Sequence, residues 1–181
     1  MKPKHILLIF VSYCLLSCGS SKSVATPEQI QALDLLVSEK SFKIELEAAL
    51  PQVTTSLMAV QNSGLLRPGD NMSRISLLGN SNDLVIKNEH VTSNLPYYGE
   101  RQMSSGYNGS DSNIEFDGPV ENYKVTKRDD SSYKIEFDAM SHNENFDVTI
   151  YVFPSLKSEI VLNSAKRNTI RYEGRVIMIS E

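Results

Sequence analysis

Apolar and polar positions along the chain follow two periods, one helical and one extended. Ile30, Leu33, Leu36 and Val37 recur at helical spacing through about Lys40. Thr26 stands where a helix is capped, Pro27 suits the first helical position, and Gln29 lies three residues after Thr26 as in a capping box. The pattern predicts a short amphipathic N-terminal helix whose stripe packs on a sheet. From Phe42 the period falls to two: Phe42, Ile44, Leu46 and Ala48 alternate with Lys43, Glu45 and Glu47, a half-buried strand that ends at Pro51. Residues 52–71 hold Gly64, Pro68 and Gly69 and read mostly as loop, with a short strand near 53–57. Strands are expected over 72–78 and 83–87, about a Gly79-Asn80-Ser81-Asn82 turn.

The second half alternates more cleanly. Ile114 and Phe116 open it, and Tyr123 and Val125 follow Gly118-Pro119. Tyr133, Ile135, Phe137 and Ala139 share one face, as do Phe146, Val148, Ile150 and Val152. Stretches 159–163, 168–172 and 175–179 complete the series. Short strands about ten residues apart, with turns and no helices between them, define a mainly β antiparallel meander. An open sheet of that length leaves two edges, so closure into a barrel-like or two-layer sandwich domain is expected.

The N-terminus changes the picture of where this domain resides. Lys2 and Lys4 precede an apolar run from Ile6 to Leu16, too short for a lasting span of a hydrocarbon core of about 30 Å. The run ends in Leu15-Leu16-Ser17-Cys18-Gly19, which resembles a bacterial lipoprotein cleavage site. The expected organisation is a signal peptide over 1–17, a lipidated tether over 18–26 beginning at Cys18, and one β-rich domain over 27–181. An ordinary signal peptide cut nearby is the alternative. Cys14 and Cys18 are the sole cysteines, so the exported domain stands without a disulfide.

Removing Lys2 and Lys4 with the signal leaves 16 basic and 22 acidic residues, net −6, which argues against nucleic acid and anionic head groups as partners. The Gly19-Ser20-Ser21-Lys22-Ser23 run lacks the acidic cluster seen in lipoproteins sent to the surface of Bacteroidetes-type cells. By that resemblance the protein is expected to be an outer-membrane lipoprotein facing the periplasm. Its expected partners are the membrane, through the lipid anchor, and an envelope protein or small ligand.

The most distinctive local feature is Leu95-Pro96-Tyr97-Tyr98-Gly99. With Phe42 and Pro51 before it, Ile114 and Phe116 after it, and Arg167, Ile170, Tyr172, Gly174 and Val176 near the end, the chain resembles an exported Bacteroidetes-type lipoprotein family, domain of unknown function 4251. Tyr98 stands where that family often has Phe, and Asn113 where it often has Gly. The resemblance implies the fold and the export signal and no particular activity.

Candidate chemistry is sparse. Pro96 forces Leu95 extended, and the two adjacent tyrosines then point to opposite faces. Tyr97, Tyr98 and Tyr107 could line a pocket mouth, or form a structural corner in which a buried phenol satisfies loop backbone. Arg167, Arg171 and Arg175 could be gathered by a turn at Gly174 into an anion site, with Arg171 as the contact residue, or each could pair with surface acids. Beyond the signal only His90 and His142 remain, without a thiol or a His-x-x-x-His pair, so no metal or cofactor is expected. No Gly-x-Ser-x-Gly nucleophile motif, phosphate loop or calcium loop occurs, and no catalytic residue is assigned. The reading is a non-enzymatic, lipid-anchored binding or envelope-interaction module. The alternatives are a small hydrolase using paired carboxylates, and a barrel carrying an apolar ligand in a cavity of about 300 Å³ or more.

Overall fold

A computed structural model describes residues 25–102 and 113–179. The chain begins with α1 (Pro27–Glu39) and β1 (Ser41–Pro51), followed by α2 (Thr55–Asn62). Then come β2 (Ile75–Ser76), β3 (Asp83–Lys87), β4 (His90–Leu95), β5 (Ile114–Pro119) and β6 (Glu121–Lys127). The last four strands are β7 (Tyr133–Ser141), β8 (Glu144–Val152), β9 (Lys157–Asn163) and β10 (Ile170–Met178). Every ladder is antiparallel, in the order β5-β4-β3-β1-β10-β9-β8-β7-β6, with β2 added to β1 at Ala48 and Ala49.

That order is the chain order written on a circle. β1 pairs with β10 over most of its length, so the meander's first and last strands meet. The two ends of the path, β5 and β6, are separated by Val120 alone and act as one bent strand, the first half paired to β4 and the second to β7. At the seam β5 runs beside β7, where the Ser141 hydroxyl accepts from the Glu115 amide at 2.9 Å. The result is a nearly closed antiparallel barrel. The sandwich alternative is not what forms.

Alternation fills the interior with side chains. Phe42, Ile44, Ile86, Leu95, Phe116, Ile135, Phe146, Ile150, Ile160 and Tyr172 belong to one continuous buried cluster, with Phe116 and Phe146 edge to face at 5.7 Å between ring centres. Side chains of this cluster occupy the interior of the barrel.

One mouth of the barrel lies where Ser41, Lys87, His90 and Pro119 align, and α1 covers it. Thr26 and Gln29 form the expected capping box, at 3.0 and 3.4 Å, and Leu33, Leu36 and Val37 are buried. The Asp34 carboxylate accepts from Lys127 Nζ at 2.7 Å and from the Tyr133 hydroxyl at 2.8 Å, tying α1 to the β6–β7 hairpin. Both contacts hold the Asp34 carboxyl below its ordinary range, that of Lys127 first.

Several local expectations are corrected. Residues 53–57 are not a strand: Thr55–Asn62 is helical, capped by the Thr54 hydroxyl, which accepts from the Leu57 amide at 3.2 Å. Only Ile75–Ser76 of the 72–78 stretch is extended into a ladder. β4 was not anticipated. The stretches 168–172 and 175–179 belong to a single strand with no turn at Gly174. Gly174 instead allows close packing, since a β-carbon there would fall on the Glu45 carbonyl oxygen of β1.

Candidate functional site

The mouth opposite α1 is closed by the Leu95–Gly99 segment and the β9–β10 turn. β4 ends at Leu95, which is buried, and Pro96 turns the chain outward. The Tyr172 hydroxyl, rising from the core on β10, donates to the Pro96 carbonyl at 3.0 Å. The Tyr97 hydroxyl lies 2.9 Å from the Glu100 carbonyl and 3.0 Å from that of Asn168, its one proton shared between them. A side chain at Gly99 would collide with the Tyr97 ring, which accounts for glycine there. Residues 100–102 then pair with the turn, Gln102 N donating to Lys166 O at 2.8 Å and Asn168 N to Glu100 O at 3.1 Å.

Beneath Tyr97 lies a buried ion pair. Arg167, 5% exposed, donates from Nε to Glu144 Oε2 at 2.9 Å, and its guanidinium sits 5.0 Å from the Tyr97 ring centre and 5.8 Å from that of Phe146. The Ser164 hydroxyl also donates to Glu144 and accepts from the Lys166 and Arg167 amides. Burial pushes the phenols of Tyr97, Tyr98 and, most strongly, Tyr172 above their ordinary value. Burial thus favours the protonated form in which Tyr97 and Tyr172 donate. Tyr97 and Tyr98 face different neighbours: Tyr97 the Arg167 network, Tyr98 the loop bearing Arg67 and Asp70. Glu100 accepts from the side chains of Ser56 and Thr54 at the start of α2, which holds its carboxyl below the usual range.

The remaining expected residues are dispersed. Tyr107 and Cys18 lie outside the described residues. Arg171 is exposed on the outer face of β10, 3.4 Å from Glu159, and Arg175 lies two positions past Glu173 on that face, 2.8 Å from Glu47. With Arg167 buried at the mouth, the three arginines occupy separate places, because a continuous strand replaces the turn that was expected to gather them. The Ser141 hydroxyl lies 3.3 Å from His142 Nδ1, but Ser141 is 1% exposed and its oxygen already serves the seam, so the pair offers no accessible nucleophile.

A concavity that the sequence did not disclose lies on the outside. A cleft of about 840 Å³ runs from the start of α1 down the outer wall of β9, β10 and β1. Ala25, Gln29 and Ile30 form one wall, the 129–131 turn another, and Phe153 and Pro154 a third. Its wall carries Glu47, paired with Arg175, and Glu173, paired with Arg74. Six segments distant in sequence build it, so no local motif marks it. Among the described residues no group of three or more His, Cys, Asp or Glu side chains is placed to hold a metal ion.

A side-chain-filled, helix-capped antiparallel barrel with a cleft outside its wall is the class of protein that fold and site define. Residues 25–176 match the family described as domain of unknown function (DUF4251), and the chain belongs to that family. Its fold is similar to the crystal structure of a DUF4251 family protein from Bacteroides eggerthii DSM 20697, at 12% identity and a TM-score of 0.54, over 83% of this chain and 88% of that one. No curated protein matches the chain.

Proposed function

We propose that this protein is a non-enzymatic, lipid-anchored binding module of the cell envelope, held by acyl chains on Cys18 and facing the periplasm. The observation that carries the reading is a packed barrel whose open cleft lies outside the wall and includes Ala25, where the N-terminal segment joins. Seven residue steps from Cys18 to Ala25 reach at most about 25 Å, so the anchor keeps the α1 mouth and the cleft near the membrane. Strands of nine residues such as β8, at about 3.3 Å per residue and a barrel tilt of about 40°, carry the Tyr97 mouth roughly 20 Å further out.

Two features favour binding over hydrolysis. Glu47, Glu159 and Glu173 are each engaged by an arginine. Every described carboxyl whose pKa departs from its ordinary value is lowered, namely Glu28, Asp34, Glu100 and Asp130, whereas a general acid needs one raised. The test is labelling with radioactive palmitate followed by crosslinked capture from the envelope. Wild type is expected to take up label and capture envelope components, and Cys18→Ala to take up none. Label absent from both ends the anchoring claim, and capture of nothing ends the binding claim.

A further inference from the structure

We infer that the outer cleft is a binding site for a short peptide bearing a free amine and a free carboxylate, an inference that rests on the binding-module reading and names its ligand class. At about 840 Å³ the cleft lies within the range of small-ligand sites. Its internal ion pairs leave a particular remainder. Arg74 is matched by Glu173 and Arg175 by Glu47, while Glu159 is taken by Arg171. Lys157 on the β9 side and Asp129 on the β6–β7 turn also line the cleft, and among the described residues neither makes an ion pair or a side-chain hydrogen bond. With Asp130 accepting from the Ser132 amide and hydroxyl, one open cation and one open anion on different walls complement a ligand that carries both charges.

Ile30, Phe153 and Pro154 give the apolar surface that small aliphatic side chains seek. A polyanion is opposed by Glu47, Asp129, Asp130, Glu159 and Glu173 against three cations, and a neutral glycan would engage neither open charge.

The test is isothermal titration of the full-length protein, extracted from membranes in mild detergent, with trialanine and with its N-acetylated, C-amidated form. Saturable binding of trialanine is expected, weakened about fivefold or more by Lys157→Gln and by Asp129→Asn, the scale of one exposed charge pair. The blocked peptide should bind more weakly than either variant binds the free one. Both substitutions are at the surface, and unchanged thermal unfolding verifies that the variants are folded. No saturable heat with trialanine, equal binding of the blocked peptide, or variants that bind like wild type would each overturn the inference. If envelope capture persists while trialanine gives no heat, the ligand class falls alone. If trialanine binds while capture fails, it is the envelope-module reading that falls.

Discussion

Replacing Glu144 by Gln removes the carboxylate from a guanidinium that has almost no access to water. The pair is direct, Arg167 Nε to Glu144 Oε2 at 2.9 Å, with side chains 4% and 10% exposed. Breaking a buried pair by deleting one partner costs about 3–5 kcal/mol, because the remaining charge keeps its desolvation penalty and loses that counter-charge. The flanking Tyr97 and Phe146 rings offset about 1 kcal/mol of that through their attraction for the cation, and they remain in the variant. The expected loss for Glu144→Gln is thus about 3 kcal/mol, or roughly 10 °C in Tm for a domain of this size. Urea unfolding followed by circular dichroism measures it. The double variant Glu144→Gln, Arg167→Met should be more stable than Glu144→Gln alone, since it also removes the buried guanidinium that the carboxylate had neutralised. A loss below about 1 kcal/mol, or a double variant less stable than the single, would refute the assignment of this mouth as an electrostatic joint.

Three further outcomes follow from the geometry. Gly174→Ala should destabilise by about 1–3 kcal/mol in a denaturant titration, because the added carbon meets the Glu45 carbonyl and parts the β1–β10 ladder that closes the barrel. Thr26→Ala should cost about 1 kcal/mol through loss of the capping box, with hydrogen exchange of the first turn of α1 rising more than that of the strands. Stability should also decline in alkali. The buried Tyr172 phenol keeps its proton well above its ordinary value of 10.0 while the unfolded chain releases it, so its contribution is intact below pH about 10 and falls by about 1.4 kcal/mol per pH unit above that. Tyr172→Phe should flatten that alkaline slope while lowering stability near neutrality by about 1–2 kcal/mol, the Pro96 carbonyl having lost its donor; an unchanged slope would place the alkaline titration elsewhere.

How much was legible depended on where the stabilising partners lie. α1 could be read because its cap, its proline and its buried stripe all fall within thirteen residues. β7 and β8 could be read because each strand presents one face to the core, so burial itself alternates along the sequence. α2 could not, since none of its residues is buried and its start is secured by Thr54 and by Glu100, which arrives from beyond β4. β4 buries only Val91 and Leu95, too thin a stripe to register a period. Gly174 misled for a physical reason: a glycine that permits a turn and one that permits close strand approach look alike in sequence, and only the β1 backbone distinguishes them.

The topology also explains why a binding surface in this fold would be on the outside. Closing a meander through its first and last strands leaves both mouths to be finished by connecting segments. One mouth is finished by α1, whose apolar stripe continues the core, and the other by Tyr97, Tyr172, Glu144 and Arg167, whose polar atoms are turned toward one another. Among the described residues, both mouths are finished by packed side chains. What is left for recognition is the outer wall, where the turn at 129–131, the 153–155 turn and the start of α1 rise around β9, β10 and β1. Those turns bear little of the barrel's burden of stability, and their residues can change with small effect on the core. A ligand site placed there is separable from folding. Substitutions at Lys157 or Asp129 should therefore alter binding and leave unfolding unchanged, whereas those at Glu144, in the far mouth, should do the reverse.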